Sequence, residues 1–235
     1  MTVKEVMAEL KKLGSEQTRK IYANHGAKGD MFGVKVADLK VIAKKIKGDQ
    51  ALALALYDTG NLDAMYLAGL VADGAKMSKA ELNAWVKSAT FIWGSEYTVP
   101  WVASESPFGR ELALSWMDSP KESIASSGWN TYGSIMGTKD DAELDLKEIE
   151  GLMDRTVKEI PQAPNRVRYC MNGFVIAVGA FVKPLHAKAK AAAKKIGTVE
   201  VDMGGTACEV PNALEKIAKV ASTRGVGKKR KSAKC

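Results

Sequence analysis

The chain has 235 residues, a net charge of +8 and three cysteines. That length supports one sizeable domain, or two small ones, without disulfide or metal staples, and an apolar fraction of 46% beside 26% charged residues excludes a disordered chain. Cys170, Cys208 and Cys235 are odd in number, widely spaced and without a Cys-x-x-Cys pair, which argues against a disulfide framework or a thiolate zinc site.

In chain order, Thr2 to Leu13 and Ser15 to Asn24 read as a first helix pair joined at Gly14. Leu39, Ile42, Ala43 and Ile46 follow the i, i+3, i+4, i+7 template. Asp38 near the start and Lys44, Lys45 and Lys47 near the end suit the helix dipole. Asn61 caps a helix over Leu62, Met65, Tyr66, Gly69 and Leu70, and Ser78-Lys-Ala-Glu81 is a capping box opening a helix through about Ser88. Further helices are expected near 108–117, 121–136, 143–159, 165–181, 184–196 and 212–221, with Pro161 and Pro164 marking the break before 165–181. Residues 197–211 carry β-branched residues and glycines and read as an extended loop or short strand. Successive αα-hairpins of roughly 35–45 residues predict an all-α, HEAT-like or armadillo-type stack of antiparallel helix pairs, a curved α-solenoid. A compact helical bundle is the structural alternative.

One helical domain over 1–221 is expected, followed by a basic flexible tail over 222–235. Arg224, Lys228, Lys229, Arg230, Lys231 and Lys234 carry six positive charges with no acid among them, which leaves a balance of +2 for the rest. Such a tail attracts nucleic acid by releasing condensed counterions, or simply stays solvated. With little apolar surface it is expected to be mobile, so that its removal leaves the thermal midpoint nearly unchanged. The charged amphipathic start, Met1-Thr-Val-Lys-Glu5, has no signal-peptide pattern. No apolar run approaches the ~20 residues that span a bilayer. With the cysteine usage, these features predict a soluble cytoplasmic protein without membrane partners.

The segment Tyr22-Ala-Asn-His-Gly-Ala-Lys-Gly-Asp-Met-Phe-Gly-Val34, followed by Ala37-Asp-Leu-Lys-Val-Ile-Ala-Lys-Lys45, resembles the N-terminal signature of AlkD-like DNA alkylation repair proteins, whose aromatic–Gly–aliphatic turn is Phe32-Gly33-Val34 here. The stretch Asp202-Met-Gly-Gly-Thr-Ala-Cys-Glu-Val-Pro-Asn-Ala213 and the basic ending look like a branch of the same HEAT-like repeat DNA glycosylase superfamily. The resemblance implies a concave stack of helix pairs with a basic inner face that cradles double-stranded DNA, in a protein expected to be monomeric. It implies excision of cationic N3- or N7-alkylated purines with no metal and no cofactor. A base that is already cationic leaves without protonation, so the protein need only stabilise the developing sugar cation with a carboxylate and aromatic faces. The lesion then need not be flipped into a pocket.

Alignment on Val99-Pro100 puts Glu96 at the family's catalytic Asp position and Ile92 at its Trp position, with Trp93 one residue away. On an α-helix Trp93, Tyr97 and Trp101 share a face, and Glu96 is three residues from Trp93. An aromatic row of this spacing is also what core packing produces. The family's Arg falls near Ser126 or Ser127, neither of them basic, and its second Trp aligns with Phe174, which keeps a stacking face but no indole N–H. Trp129 offers a nearby substitute, and Arg166 and Arg168 offer charge to phosphates. The DNA-contacting set is therefore Trp93, Tyr97, Trp129, Arg166, Arg168 and Phe174, with Arg224, Lys228, Lys229, Arg230 and Lys231 of the tail. His25 and His186 have no partners at metal-ligand spacing, so no metal site is expected. Asp202-Met-Gly-Gly-Thr-Ala-Cys208 lacks the Gly-Lys-Ser/Thr of a P-loop and reads as a structural turn or a backbone N–H nest for a phosphate. Three readings stay open: an alkylpurine DNA glycosylase, a noncatalytic protein that binds damaged or branched DNA, and a protein-binding helical scaffold.

Overall fold

The computed structural model describes residues 1–234; Cys235, the third cysteine and the final residue of the expected tail, lies outside them. The described residues form thirteen α-helices with a few single turns of tighter or wider pitch, and no strand. The described residues divide into two compact units. The first comprises Met1–Phe108 with Met203–Ala207 and Lys234, the second Gly109–Asp202 with Cys208–Ala233. No single helix is long and apolar enough to cross a membrane.

The first unit holds α1 (Val3–Leu13), α2 (Glu16–Asn24), α3 (Val36–Lys45), α4 (Gln50–Tyr57), α5 (Leu62–Val71), α6 (Lys79–Ser88) and α7 (Val99–Ser104). Five of its seven helices, α1, α2, α4, α5 and α6, start where a side chain takes up an orphan N–H group. Thr2 with Glu5, and Ser78 with Glu81, form reciprocal capping boxes. Asn61 accepts from the Ala64 N–H and opens α5. α4 packs on α5, and the stacked rings of Tyr57 and Trp85, 3.8 Å apart, join α4 to α6. The second unit holds α8 (Gly109–Met117), α9 (Glu122–Thr138), α10 (Leu146–Glu159), α11 (Asn165–Phe181), α12 (His186–Ile196) and α13 (Ala213–Arg224). There α9 packs on α8 and α11, and α11 on α12 and α13, around Trp129, Tyr132, Phe174, Val178, Leu185 and Ile217. Residues 197–211 form an irregular loop. Asn165 clamps it by holding both the N–H and the carbonyl of Asp202.

Asp63 on α5 ties the first unit together. Its side chain is fully buried and accepts three successive backbone N–H groups, from Phe32 (2.6 Å), Gly33 (3.0 Å) and Val34 (2.9 Å). Burial pushes its carboxyl above the usual aspartate value, and the three donors pull it part of the way back. The turn must present those N–H groups to one point, and Gly33 does so at φ +77°, a conformation other L-residues rarely adopt. A Cβ at Gly33 would also lie 2.6 Å from the Ser15 carbonyl oxygen.

The basic segment after α13 is not a free tail. Gly227 N–H donates to the Ala180 carbonyl at the end of α11, and Arg230 N–H to the Gly137 carbonyl at the end of α9. Lys229 Nζ reaches the Met136 carbonyl (3.0 Å) and Asp141 (2.8 Å). Ala233 is buried, and Lys234 donates to the Ala72 carbonyl and lies 3.7 Å from Glu105, both in the first unit. Composition suggested a solvated tail because it records no partner. Beside the carboxylates of Asp141 and Glu105, the partners are carbonyls at helix C-terminal ends, which attract donors and positive charge.

Two outcomes follow for stability. Asp63→Ala leaves three buried N–H groups without acceptors and should cost about 3 kcal/mol or more, with Gly33→Val losing about as much through positive φ and the backbone clash. Urea unfolding of either variant at the parent midpoint would dismiss this account. Truncation after Arg224 should lower stability by roughly 1–3 kcal/mol, in contrast to the unchanged midpoint expected of a mobile tail.

Candidate nucleic-acid interface

The segment that carries Glu96 is not a plain α-helix. Trp93–Thr98 forms a π turn, in which the Val99 N–H bonds the Gly94 carbonyl five residues back, before α7 begins. Pro100 supplies the cause. It has no N–H to offer, and its ring would clash with the carbonyl four residues back, that of Glu96. The backbone widens in front of the proline, a feature frequent at functional sites.

The widened turn redistributes the aromatic row. Trp93 is half-buried among Tyr22 (centroids 4.2 Å apart), Tyr66 (4.8 Å) and Phe91 (5.6 Å). Trp101 is a core residue, 5% exposed, edge-on to Tyr66. Tyr97 is 39% exposed and packs its ring edge on Trp101 at 5.8 Å. Glu96 sits on this turn at 5% exposure. α5 comes close because Gly69 has no side chain: a Cβ there would collide with the Thr98 methyl. Thr98 is fully buried, and its hydroxyl has no hydrogen-bond partner among the described residues. The Tyr22 hydroxyl donates to the Val34 carbonyl at 2.7 Å. Burial, with the negative charges of Asp63 and Asp38, pushes its pKa up to about 12. The first unit thus brings Trp93, Glu96 and Tyr97 onto one short turn and backs them with Tyr22 and Tyr66. Sequence reasoning missed Tyr66 as a partner; its signal is an aromatic on an almost wholly apolar helix.

In the second unit two of the expected contact residues lie in the core. Trp129 is 0% and Phe174 1% exposed, and their rings meet edge to face at 5.2 Å in the core. Arg155, pinned by Asp118 (2.7 Å) and Glu159 (2.8 Å), lies over the Trp129 ring. Neither aromatic offers a face to an external ligand in this conformation. Ser126 and Ser127, which the sequence resemblance aligned with an Arg, are fully buried, and the Ser126 hydroxyl has no partner among the described residues. Arg166 stacks on Tyr169 at 4.4 Å, and Arg168 is partly exposed with its Nε buried and unpartnered. At the end of α13 and beyond it, Arg224, Lys228, Arg230 and Lys231 are exposed, while Lys229 is committed to Asp141.

Comparison with known proteins places these features in a family. A family model described as DNA alkylation repair enzyme matches residues 6–165. A solved structure, described as a new family of proteins related to the HEAT-like repeat DNA glycosylases with affinity for branched DNA structures, is similar over 100% of both chains. It shares 39% identity with this chain at a TM-score of 0.91. Two Listeria proteins of uncharacterised function are similar over 224 residues, 93% of this chain and 97% of each relative: Lmo0209 of Listeria monocytogenes at 32% identity and Lin0241 of Listeria innocua at 31%. The signature turn held by Asp63, the stacked helix pairs and these matches agree: the chain belongs to the AlkD-like DNA alkylation repair family.

Proposed function

We propose that this protein binds DNA and that branched DNA is the form it prefers. The observation that carries the reading is the full-length similarity, at 39% identity, to a protein with affinity for branched DNA. The charge distribution supports it: a chain of net charge +8 keeps four exposed cations near one end with no acid between them. Phosphate neutralisation by such groups supplies the sequence-independent part of DNA affinity. Branched preference would then come from shape rather than base readout.

A second reading is base excision, and Glu96 is the observation that favours it. A carboxylate largely withdrawn from water exerts a stronger field than an exposed one, which suits stabilisation of a sugar cation as a cationic N3- or N7-alkylated purine departs. The departures weigh against efficient excision. Ser126 cannot hold a phosphate as an arginine would, and Phe174 is packed in the core. Glu is also one methylene longer than Asp, so its oxygens sit about 1.5 Å further along, and a misplacement near 1 Å can cost roughly a hundredfold in rate. Neutral lesions such as uracil are outside this chemistry, since they need a proton donor for the leaving base.

Two measurements test these readings. Gel-shift titration at ~100 mM salt should give at least about ten-fold tighter binding to a four-way junction than to linear duplex of equal length, with log affinity falling steeply against log salt for both. Equal affinities would remove the branched preference, and a flat salt response would favour a protein ligand instead. In the second, 7-methylpurine release from methylated duplex should be slow, and Glu96→Gln should reduce it about ten-fold or more, ~1.4 kcal/mol in barrier per factor of ten, with DNA affinity unchanged. Equal release by parent and variant excludes Glu96 as the catalytic group.

A further inference from the structure

The segment after α13 has a geometry that charge counting does not reveal. Its backbone is fixed at two points, Gly227 to the end of α11 and Arg230 to the end of α9, and the Lys229–Asp141 ion pair closes the strap between them. On this fixed backbone the Arg230 guanidinium lies over the Phe181 ring at 5.3 Å. It also lies against Gly137, where a Cβ would come within 2.7 Å of Nη2. A guanidinium whose face is occupied by an aromatic ring keeps its N–H edge for in-plane acceptors, the geometry that suits a phosphate. Arg224, at the end of α13, is close enough that its charge, after burial, helps hold Arg230 below the ordinary arginine value. None of Arg224, Lys228, Arg230 and Lys231 has an ion-pair partner among the described residues. Lys229, between them, has its charge met by Asp141. Like charges held together without a counter-charge repel, and a bound anion relieves that repulsion.

We infer that the folded C-terminal strap is a preformed phosphate clamp, in which Arg224 and Arg230, flanked by Lys228 and Lys231, grip the backbone of a nucleic-acid strand. The choice of nucleic acid over another polyanion rests on the DNA binding proposed above. The clamp differs from a mobile polycation in one checkable respect: its strength depends on where Arg230 is held and not only on its charge. Gly137 provides the space for that position. It is the second-to-last residue of α9, so alanine there favours the helix, alters no charge, and meets only the far end of a flexible side chain.

The test uses the full chain. Gly137→Ala and Arg230→Ala should each weaken junction and duplex binding at ~100 mM salt by about three- to ten-fold, with the Gly137→Ala thermal midpoint no lower than the parent's. Arg230→Ala should also lower the magnitude of the salt slope by about 1. If Arg230→Ala binds as the parent does, the clamp is wrong. If Arg230→Ala weakens binding and Gly137→Ala does not, position is irrelevant and the segment acts as a loose polycation, which also overturns the inference. If the parent fails to bind any DNA, pyrophosphate decides by NMR. Shifts of the Arg224 and Arg230 Nε–H resonances at millimolar pyrophosphate would keep the clamp and discard the DNA reading, whereas unmoved resonances would discard both.

Discussion

Asp63 has no solvent exposure and takes all three N–H groups of the Phe32-Gly33-Val34 turn. Burying a carboxylate is costly unless its lone pairs are filled, and three short donors from one turn fill them. The consequence reaches well beyond the turn. It fixes the connection between α2 and α3 onto α5, and α5 is the helix that presents Tyr66 to Trp93 and, through the gap at Gly69, accepts Thr98. The same turn offers the Val34 carbonyl to the Tyr22 hydroxyl, which aligns the other ring that backs Trp93. The position of the π turn that carries Glu96 therefore depends on a carboxylate that takes no part in any proposed chemistry.

The residues that the sequence resemblance aligned with a catalytic set differ in their packing. Glu96, aligned with the carboxylate, lies on a turn that Pro100 widens. The residues aligned with the arginine and the second tryptophan are small or buried, and Trp129 and Phe174 complete a core with Tyr132. A side chain recruited into a core cannot also contact a strand of DNA. On the second unit the proposed DNA contacts therefore rest on charge, that of Arg224, Lys228, Arg230 and Lys231, rather than on aromatic surface.

Much of the helix layout was legible because its signals are local. Thr2 with Glu5, Ser78 with Glu81 and Asn61 mark helix starts within three residues of themselves, and the structure uses each of them. The failures are non-local. Gln50-Ala-Leu-Ala-Leu-Ala-Leu-Tyr57 alternates with a period of two, and no helix was expected there; Asp49 caps it and α5 buries it. Asp63 could have been singled out as the lone charge in the apolar run Leu62–Val71, since a charge there must meet a partner elsewhere. Pro100 was visible, but the burden it places on the carbonyl of Glu96 was not drawn from it. The segment after α13 read as solvated because its partners lie about 50 to 160 residues away in sequence and are mostly backbone carbonyls, which every sequence contains.

The long reach of Lys234 bears on how the protein is made. Its ammonium bonds the carbonyl of Ala72, 162 residues earlier, and the first unit also takes in Met203–Ala207. Contacts of such separation close late, because the loop entropy must be met before they return anything. The N-terminal unit, although translated first, thus cannot close its last contacts until residues as far along as Lys234 have been made. While synthesis is under way it exists as an incomplete body.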